Sequence, residues 1–334
     1  MKNRFSFFVL AVCLLIIAAV SAQASVIYVK TDGSDGNDGS TWALAKATIG
    51  GALSVASSGD EVWVKTGTYS LSTAIPTGVK LFGGFDGTET LLDSRNWGSN
   101  TTTINSGYIT ATVTSGSSAI DGFILTDLSG IDLTGDVTFS HNEVVDCDNI
   151  DPVISCTGVV KLVNNLIYNN NGYETRHEST CTITCASSNG DAIIVNNTIS
   201  DNGFSDGGGA AIYCTGTPDI ANNIIVFQAG NGIYDASAGT PTVSHNCVYG
   251  NAIANYQGFP INWQPDNDIN VDPEFWDRPN DDYRLDRDSV CEEMGSNSYI
   301  DSSSGLPDYA RTKDFWHHQR IATIVDIGAF ESWD

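Results

Sequence analysis

Five asparagines, Asn142, Asn165, Asn197, Asn223 and Asn246, anchor a repeat whose frame constrains this chain more than any other feature. They are separated by 23, 32, 26 and 23 residues. Three positions before each anchor stand Phe139, Leu162, Ile194, Ile220 and Val243, and two positions after stand Val144, Ile167, Ile199, Ile225 and Val248. All are apolar. The position directly after each anchor holds Glu143, Leu166, Thr198, Ile224 and Cys247, a mixed set expected to point outward. Such alternation marks a strand, because successive side chains leave a pleated backbone on opposite sides. A second short strand precedes each anchor: Ile131-Asp-Leu133, Ile154-Ser-Cys156, Ile183-Thr-Cys185, Ile212-Tyr-Cys214 and Ile233-Tyr-Asp235. Its first and third residues should face inward and its middle residue outward.

Copies of this length, made of short strands and polar bends, describe coils stacked into a solenoid with strands about 4.8 Å apart. A propeller or sandwich also holds many short strands, but with hairpin turns and longer alternating strands. The constant register favours an all-β fold, the single-stranded parallel β-helix. The anchor asparagines then stack at a bend, each amide bonding the next along the axis, and Asn tolerates the left-handed backbone that a sharp bend needs. Cys156, Cys185 and Cys214 fall in one inward column at intervals of 29 residues. They fit as small buried hydrophobes, and stacked neighbours are also close enough to form a disulfide. No CxxC pair or Cys/His spacing points to zinc.

The first residues set the expected compartment. Lys2 and Arg4 precede a nearly unbroken apolar run from Phe5 to Val20, and Ala22-Gln23-Ala24 gives the small-x-small pattern of a signal-peptidase site. Cleavage is expected before Ser25, leaving a secreted protein, extracellular or periplasmic, with no membrane span. The formal charge of −25 becomes −27 once Lys2 and Arg4 leave. Such a field repels nucleic acid and anionic membranes, and disfavours polyuronates unless a cation bridges the two surfaces. The reading is of an acidic monomer.

Four regions follow: a signal peptide (1–24), an N-terminal cap (25–69), the coils (70–260) and a closing segment (261–334). In the cap, Ile27-Tyr-Val and Glu61-Val-Trp-Val-Lys65 read as strands and Lys46 to Ala56 as a short helix. A solenoid needs such a lid over the core it exposes at each end. The pattern YVKTDGSDGNDG…W…TIGGAL…GDEVWVKTGTY resembles the entry segment of bacterial right-handed β-helix proteins of the pectin-lyase-like superfamily. Asp272-Pro273, Phe275, Tyr283-Arg-Leu285, Ser289, Gly295 and Asp326-Ile-Gly-Ala-Phe-Glu331 resemble the choice-of-anchor Q domain found in such secreted proteins. The resemblance implies a right-handed coil and no particular activity. Glu292-Glu293-Met294 departs from the small apolar and Asp pattern of those relatives. Relatives often continue into an anchoring tail, so an end at Trp333-Asp334 suggests release.

On β-helix enzymes of that superfamily, substrate lies along one sheet face flanked by loops. The outward row here includes Asp132, Tyr213 and Tyr234, with the tyrosines expected to stack as a platform for sugar rings. Tyr173 to Glu178 forms an insertion in the longest coil, beside Asp201 to Gly209 of the next. Arg176, His177 and Glu178, with Asp201 and Asp206, are the candidate catalytic residues, for proton abstraction or as a carboxylate pair. Pectate-lyase relatives use clustered acids for calcium with a nearby Arg or Lys. Between residues 100 and 277 the basic side chains are Lys161 and Arg176 alone, and no Asp trio with a His-Gly segment is found. The first reading is therefore a secreted protein binding extracellular polysaccharide. The alternatives are a polysaccharide lyase or glycoside hydrolase, and a structural surface repeat. No cofactor is called for except calcium, for which Asp32, Asp35, Asn37 and Asp38 could supply oxygens without EF-hand spacing. The cluster Trp316-His317-His318, near Asp314 and Arg320, reads as part of the closing cap.

Overall fold

The computed structural model describes residues 24–148, 150–172, 181–187, 192–204, 209–237, 239–260, 263, 265–320 and 323–332. They form the expected right-handed parallel β-helix. Each full coil contributes strands to three parallel ladders. The first ladder is a nine-stranded sheet running from Val26–Val29 through Val160–Val163 to Thr242–Ser244. The second and third are joined through the 11-residue strand Thr102–Thr112, which pairs with Ile124–Leu125 at one end and Leu128–Thr134 at the other. The second ladder ends at Cys247–Tyr249 and the third at Tyr256–Gln257.

The register is the one the repeat specifies. Val144, Ile167, Ile199, Ile225 and Val248 pair in sequence, as do Leu162, Ile194, Ile220 and Val243. Both rows belong to one continuous apolar core. Cys156, Cys185 and Cys214 lie in register in that core, buried and as free thiols. Ile49, Ala52 and Leu53 cover one end of the core. Their helix spans only Ile49–Leu53, shorter than the expected 46–56. Its start is fixed by Thr48, whose hydroxyl accepts from Gly51 N, and by Asp35, which takes the N–H groups of Ala47 and Thr48. Tyr256, Phe259 and Trp263 pack at the other end, with Phe259 and Trp263 stacked 4.0 Å apart.

The anchor asparagines are completely buried. Each Oδ1 accepts the backbone N–H of the preceding anchor at 2.9–3.0 Å, from Asn142–Asn165 through Asn223–Asn246. Each Nδ2 donates to a carbonyl one coil back, such as Leu162 O from Asn197 at 2.9 Å. The left-handed residue at this bend is not the anchor but its predecessor: His141, Asn164, Asn196, Asn222 and His245 have φ of 52–56°. Placing the left-handed turn one residue earlier throws that side chain outward and leaves the anchor amide aimed along the axis.

A second polar ladder lies five residues on and was not read from the sequence. Asn170 and Asn202 repeat the arrangement, with Asn170 N donating to Asn202 Oδ1 at 3.2 Å, and Gln228 and Asn251 continue it at 3.1 Å. Asp146, Asn169, Asp201, Phe227 and Gly250 precede its members, with φ of 51–65°. From Asn170 onward each coil therefore turns two corners with the same device, an outward left-handed residue followed by an inward amide.

Asp268 ends the first ladder in place of a sixth asparagine. It accepts Asn246 N at 2.8 Å and Tyr256 Oη at 2.5 Å. Burial, with Asp266 adding to it, raises its carboxyl to about 6 against these bonds. The folded state thus holds this proton more tightly than the unfolded chain. The group's contribution to stability is greatest below the ordinary carboxyl range and is lost as pH rises through about 6. Asp268→Asn keeps an acceptor for Asn246 and removes the charge. Urea unfolding should show the variant gaining on the wild type between pH 4 and 7, by roughly 1–3 kcal/mol at pH 7. Parallel pH profiles for the two proteins would contradict this account.

Beyond Ile269, which still bridges to Cys247, the chain turns back along the outside of the coils. This return strap lands on the outward corner residues. Asn164 Nδ2 donates to Ala310 O and Lys313 O, and its Oδ1 accepts from buried Arg320 at 2.9 Å. Asn196 holds Asp326 O, and Asn222 exchanges two bonds with Ser296. The positions expected to face outward, Leu166, Thr198, Ile224 and Cys247, do lie outside the main core, but the strap buries them against Phe330, Leu285, Cys291 and Ile327.

Candidate ligand cleft at the C-terminal hairpin

Where the strap crosses the second corner column, it forms an antiparallel hairpin from Phe275–Asp277 and Asp282–Leu285. The turn between them, Arg278–Asn280, ends at Asp281 with φ of 61°. Arg278 Nε reaches both oxygens of Asp201 at 3.1 and 2.9 Å, and its Nη2 also bonds Oδ1. The Tyr283 hydroxyl donates to Asp201 Oδ2 at 3.1 Å, and Asn169 donates to Asp281 at 3.0 Å. The guanidinium of Arg278 also lies 3.6 Å from the centroid of Phe227. Phe227 is the unusual member of its corner column. A bulky residue at φ 57° is sterically disfavoured where Asn, Asp or Gly is usual. Its ring supplies the face on which Arg278 rests.

Hairpin and corner column enclose a cleft of about 810 Å³. Six carboxylates line it: Asp201, Asp272, Glu274, Asp277, Asp281 and Asp286. Arg278 is the cation in the lining and is bound to Asp201. At the rim, Trp276 is 61% exposed. Behind it, a pocket of about 310 Å³ runs to Trp316, which is 41% exposed. Arg284 stands between the two indoles, 5.7 Å from Trp276 and 4.7 Å from Trp316, held by Asp282 at 2.8 Å. The surface thus offers apolar ring faces beside a dense set of hydrogen-bond acceptors.

Of the residues singled out from sequence, Asp201 lies in this cleft, engaged by Arg278 and Tyr283. Arg176, His177, Glu178 and Asp206 lie outside the described residues. The bases of their loops, Asn171–Gly172 and Gly203–Phe204, pair in parallel. Asp132, Tyr213 and Tyr234 lie on the third ladder, in one outward row with Ser155 and Thr184. The tyrosine rings are neighbours at 5.1 Å but meet edge to face at 82°, so they do not present one flat platform. Asp132 accepts a hydrogen bond from Tyr108. Asp35 caps the N-terminal helix, Asp38 binds Ser40, Asn37 donates to Ala45 O, and Asp32 is exposed 3.6 Å from Lys30. Among the described residues, no group of three His, Cys, Asp or Glu side chains is placed to hold a metal. His317 packs against Trp97 at 4.5 Å, and burial, then Lys313, pushes its imidazole down to about 4. Trp276 was visible only as part of the VDPEFW motif. Its exposure depends on the hairpin, which has no periodic signal.

The family described as Disaggregatase related matches residues 220–307, which span the last coils and the hairpin. No curated protein matches the chain. Among solved structures, pectate lyase Pel9A is 11% identical, with 93% of this chain and 97% of that one aligned at a TM-score of 0.42. The ORF18 protein of Geobacillus virus E2 is 14% identical over 69% of this chain and 52% of its own, at 0.37. A rhamnogalacturonan lyase is 12% identical over 68% and 69%, at 0.32. Among the described residues, no helix is long and apolar enough to cross a membrane.

Proposed function

We propose that this is an exported β-helix protein of the pectin-lyase-like superfamily that binds extracellular carbohydrate in the Trp276 cleft. The observation that carries the reading is an indole 61% exposed at the lip of an acceptor-rich cleft. Sugars place their C–H faces on aromatic rings and donate hydroxyl protons to carboxylates, so the two features suit one ligand class. The carboxylates favour neutral or amino sugars over polyuronates. The basic, apolar leader with its Ala22-Gln23-Ala24 site supports export.

The test is a panel of neutral, amino and uronic glycans, assayed for binding and for new chain ends, with and without calcium. Binding of a neutral or amino glycan is expected, without new chain ends. Trp276→Ala should weaken it at least tenfold while Tyr213→Ala and Tyr234→Ala leave it within about twofold. Loss through the tyrosine variants alone would move the site to the third ladder. New chain ends would make the protein a lyase or hydrolase, and no binding at all would leave a structural repeat.

A further inference from the structure

Cys247 and Cys291 stand apart from the other described cysteines in joining the strap to the coils. Cys247 follows the last anchor and faces outward from the second ladder, whereas Cys291 lies on the strap that covers it. Both are fully buried in one apolar cluster with Ile224, Val226, Leu285 and Ile327. Cys291 packs with Cys247 inside that cluster, and Cys247 Sγ donates to Val271 O at 3.3 Å. The backbones on both sides are fixed. Cys247 N bonds Asn223 O at 2.8 Å, Cys291 N bonds Ser289 Oγ at 3.2 Å, and Ile327 N bonds Cys291 O at 3.0 Å.

We propose that Cys247 and Cys291 form a disulfide that staples the hairpin-bearing strap to the last coil. Two S–H bonds break and one S–S bond forms. The two electrons and two protons pass to a low-molecular-weight disulfide, which leaves as two thiols. Exchange proceeds through thiolates, and the neighbouring Cys247 sulfur, then burial, hold the Cys291 thiol well above its ordinary range once the strap is docked. Oxidation therefore takes place during folding, before the cluster closes. The staple ties down the segment that carries Trp276 and Arg278.

The full chain is refolded in a glutathione/glutathione-disulfide buffer, denatured without reductant, alkylated, digested and mapped by mass spectrometry. The expected product is one linked peptide pair joining Cys247 to Cys291, with Cys156, Cys185 and Cys214 alkylated. Reduction should lower the thermal midpoint of the wild type by roughly 5 °C. Cys291→Ser should melt at the reduced wild-type midpoint whether or not reductant is present. Alkylation of both Cys247 and Cys291, or a bridge elsewhere such as Cys156–Cys185, would overturn the proposal. The peptide map of the wild type decides the matter even if the variant does not fold.

Discussion

Asn197→Ala should lower the free energy of unfolding by about 3–5 kcal/mol, read from the urea midpoint by circular dichroism. Asn197 sits in the middle of the first ladder with no exposed surface. Its Nδ2 donates to Leu162 O, Val195 O and Asn223 Oδ1 at 2.9, 3.1 and 3.0 Å. Its Oδ1 accepts from Asn165 N at 2.9 Å and Asn165 Nδ2 at 2.8 Å. Alanine leaves the Asn165 N–H and the Leu162 carbonyl buried without these partners, at about 1–3 kcal/mol for each group, and opens a void beside them. Asn197→Asp should also destabilise, because it keeps the acceptors but removes both donor hydrogens and buries a charge. Asn105, exposed on the outer surface, serves as a control and should change stability by less than about 0.5 kcal/mol when replaced by alanine. An Asn197→Ala midpoint equal to that of the control would show that the amide column is not needed for the stack.

Asp121→Ala should be comparably damaging, at about 3–5 kcal/mol near neutral pH. Arg95 and Asp121 are both buried, with Nη2 and Oδ1 2.5 Å apart. Asp121 also accepts from Ser140 Oγ at 2.5 Å and from His141 Nδ1 at 3.0 Å. Burial alone would raise this carboxyl, but Arg95 and then His141 hold it below the usual range. A depressed folded pKa stabilises above the unfolded value and is lost as pH falls below the ordinary carboxyl range. The penalty of Asp121→Ala should therefore be full at neutral pH and shrink in acid. Removing both charges in Arg95→Met with Asp121→Leu should restore part of the loss, because the single variant strands a buried guanidinium between Phe82 and Trp97. Equal losses for the single and double variants would show that packing, not charge, dominates here.

Both predictions concern features that local sequence carries unequally. The anchor asparagines were legible because each stands at a fixed offset from two apolar positions. The second ladder was equally periodic, with Val144, Ile167, Ile199, Ile225 and Val248 three positions before its members, but those members, Cys147, Asn170, Asn202, Gln228 and Asn251, vary in type and have no regular apolar position after them. The left-handed corner was misplaced by one residue because adjacent asparagines, as in Asn164-Asn165 and Asn222-Asn223, leave composition unable to say which one turns. Asp201 reads from sequence as a candidate catalytic acid because Arg278 is distant in the chain and the hairpin that carries it has no repeat.

The repeat frame by itself determined the coils, their register, the core rows and the buried cysteine column. Each of those follows from local alternation multiplied by stacking, and a one-residue slip would expose every apolar side chain in a strand. Only the tertiary structure decided what became of the outer surface. The strap is aperiodic, and its path is set by long-range bonds to corner residues such as Asn164, Asn196 and Asp201. That path buries Leu166, Ile224 and Cys247, leaves Trp276 at the lip of an acidic cleft and brings Cys291 onto Cys247. Contacts between residues far apart in the chain leave no spacing to read, so the site came from the fold and the fold from the repeat.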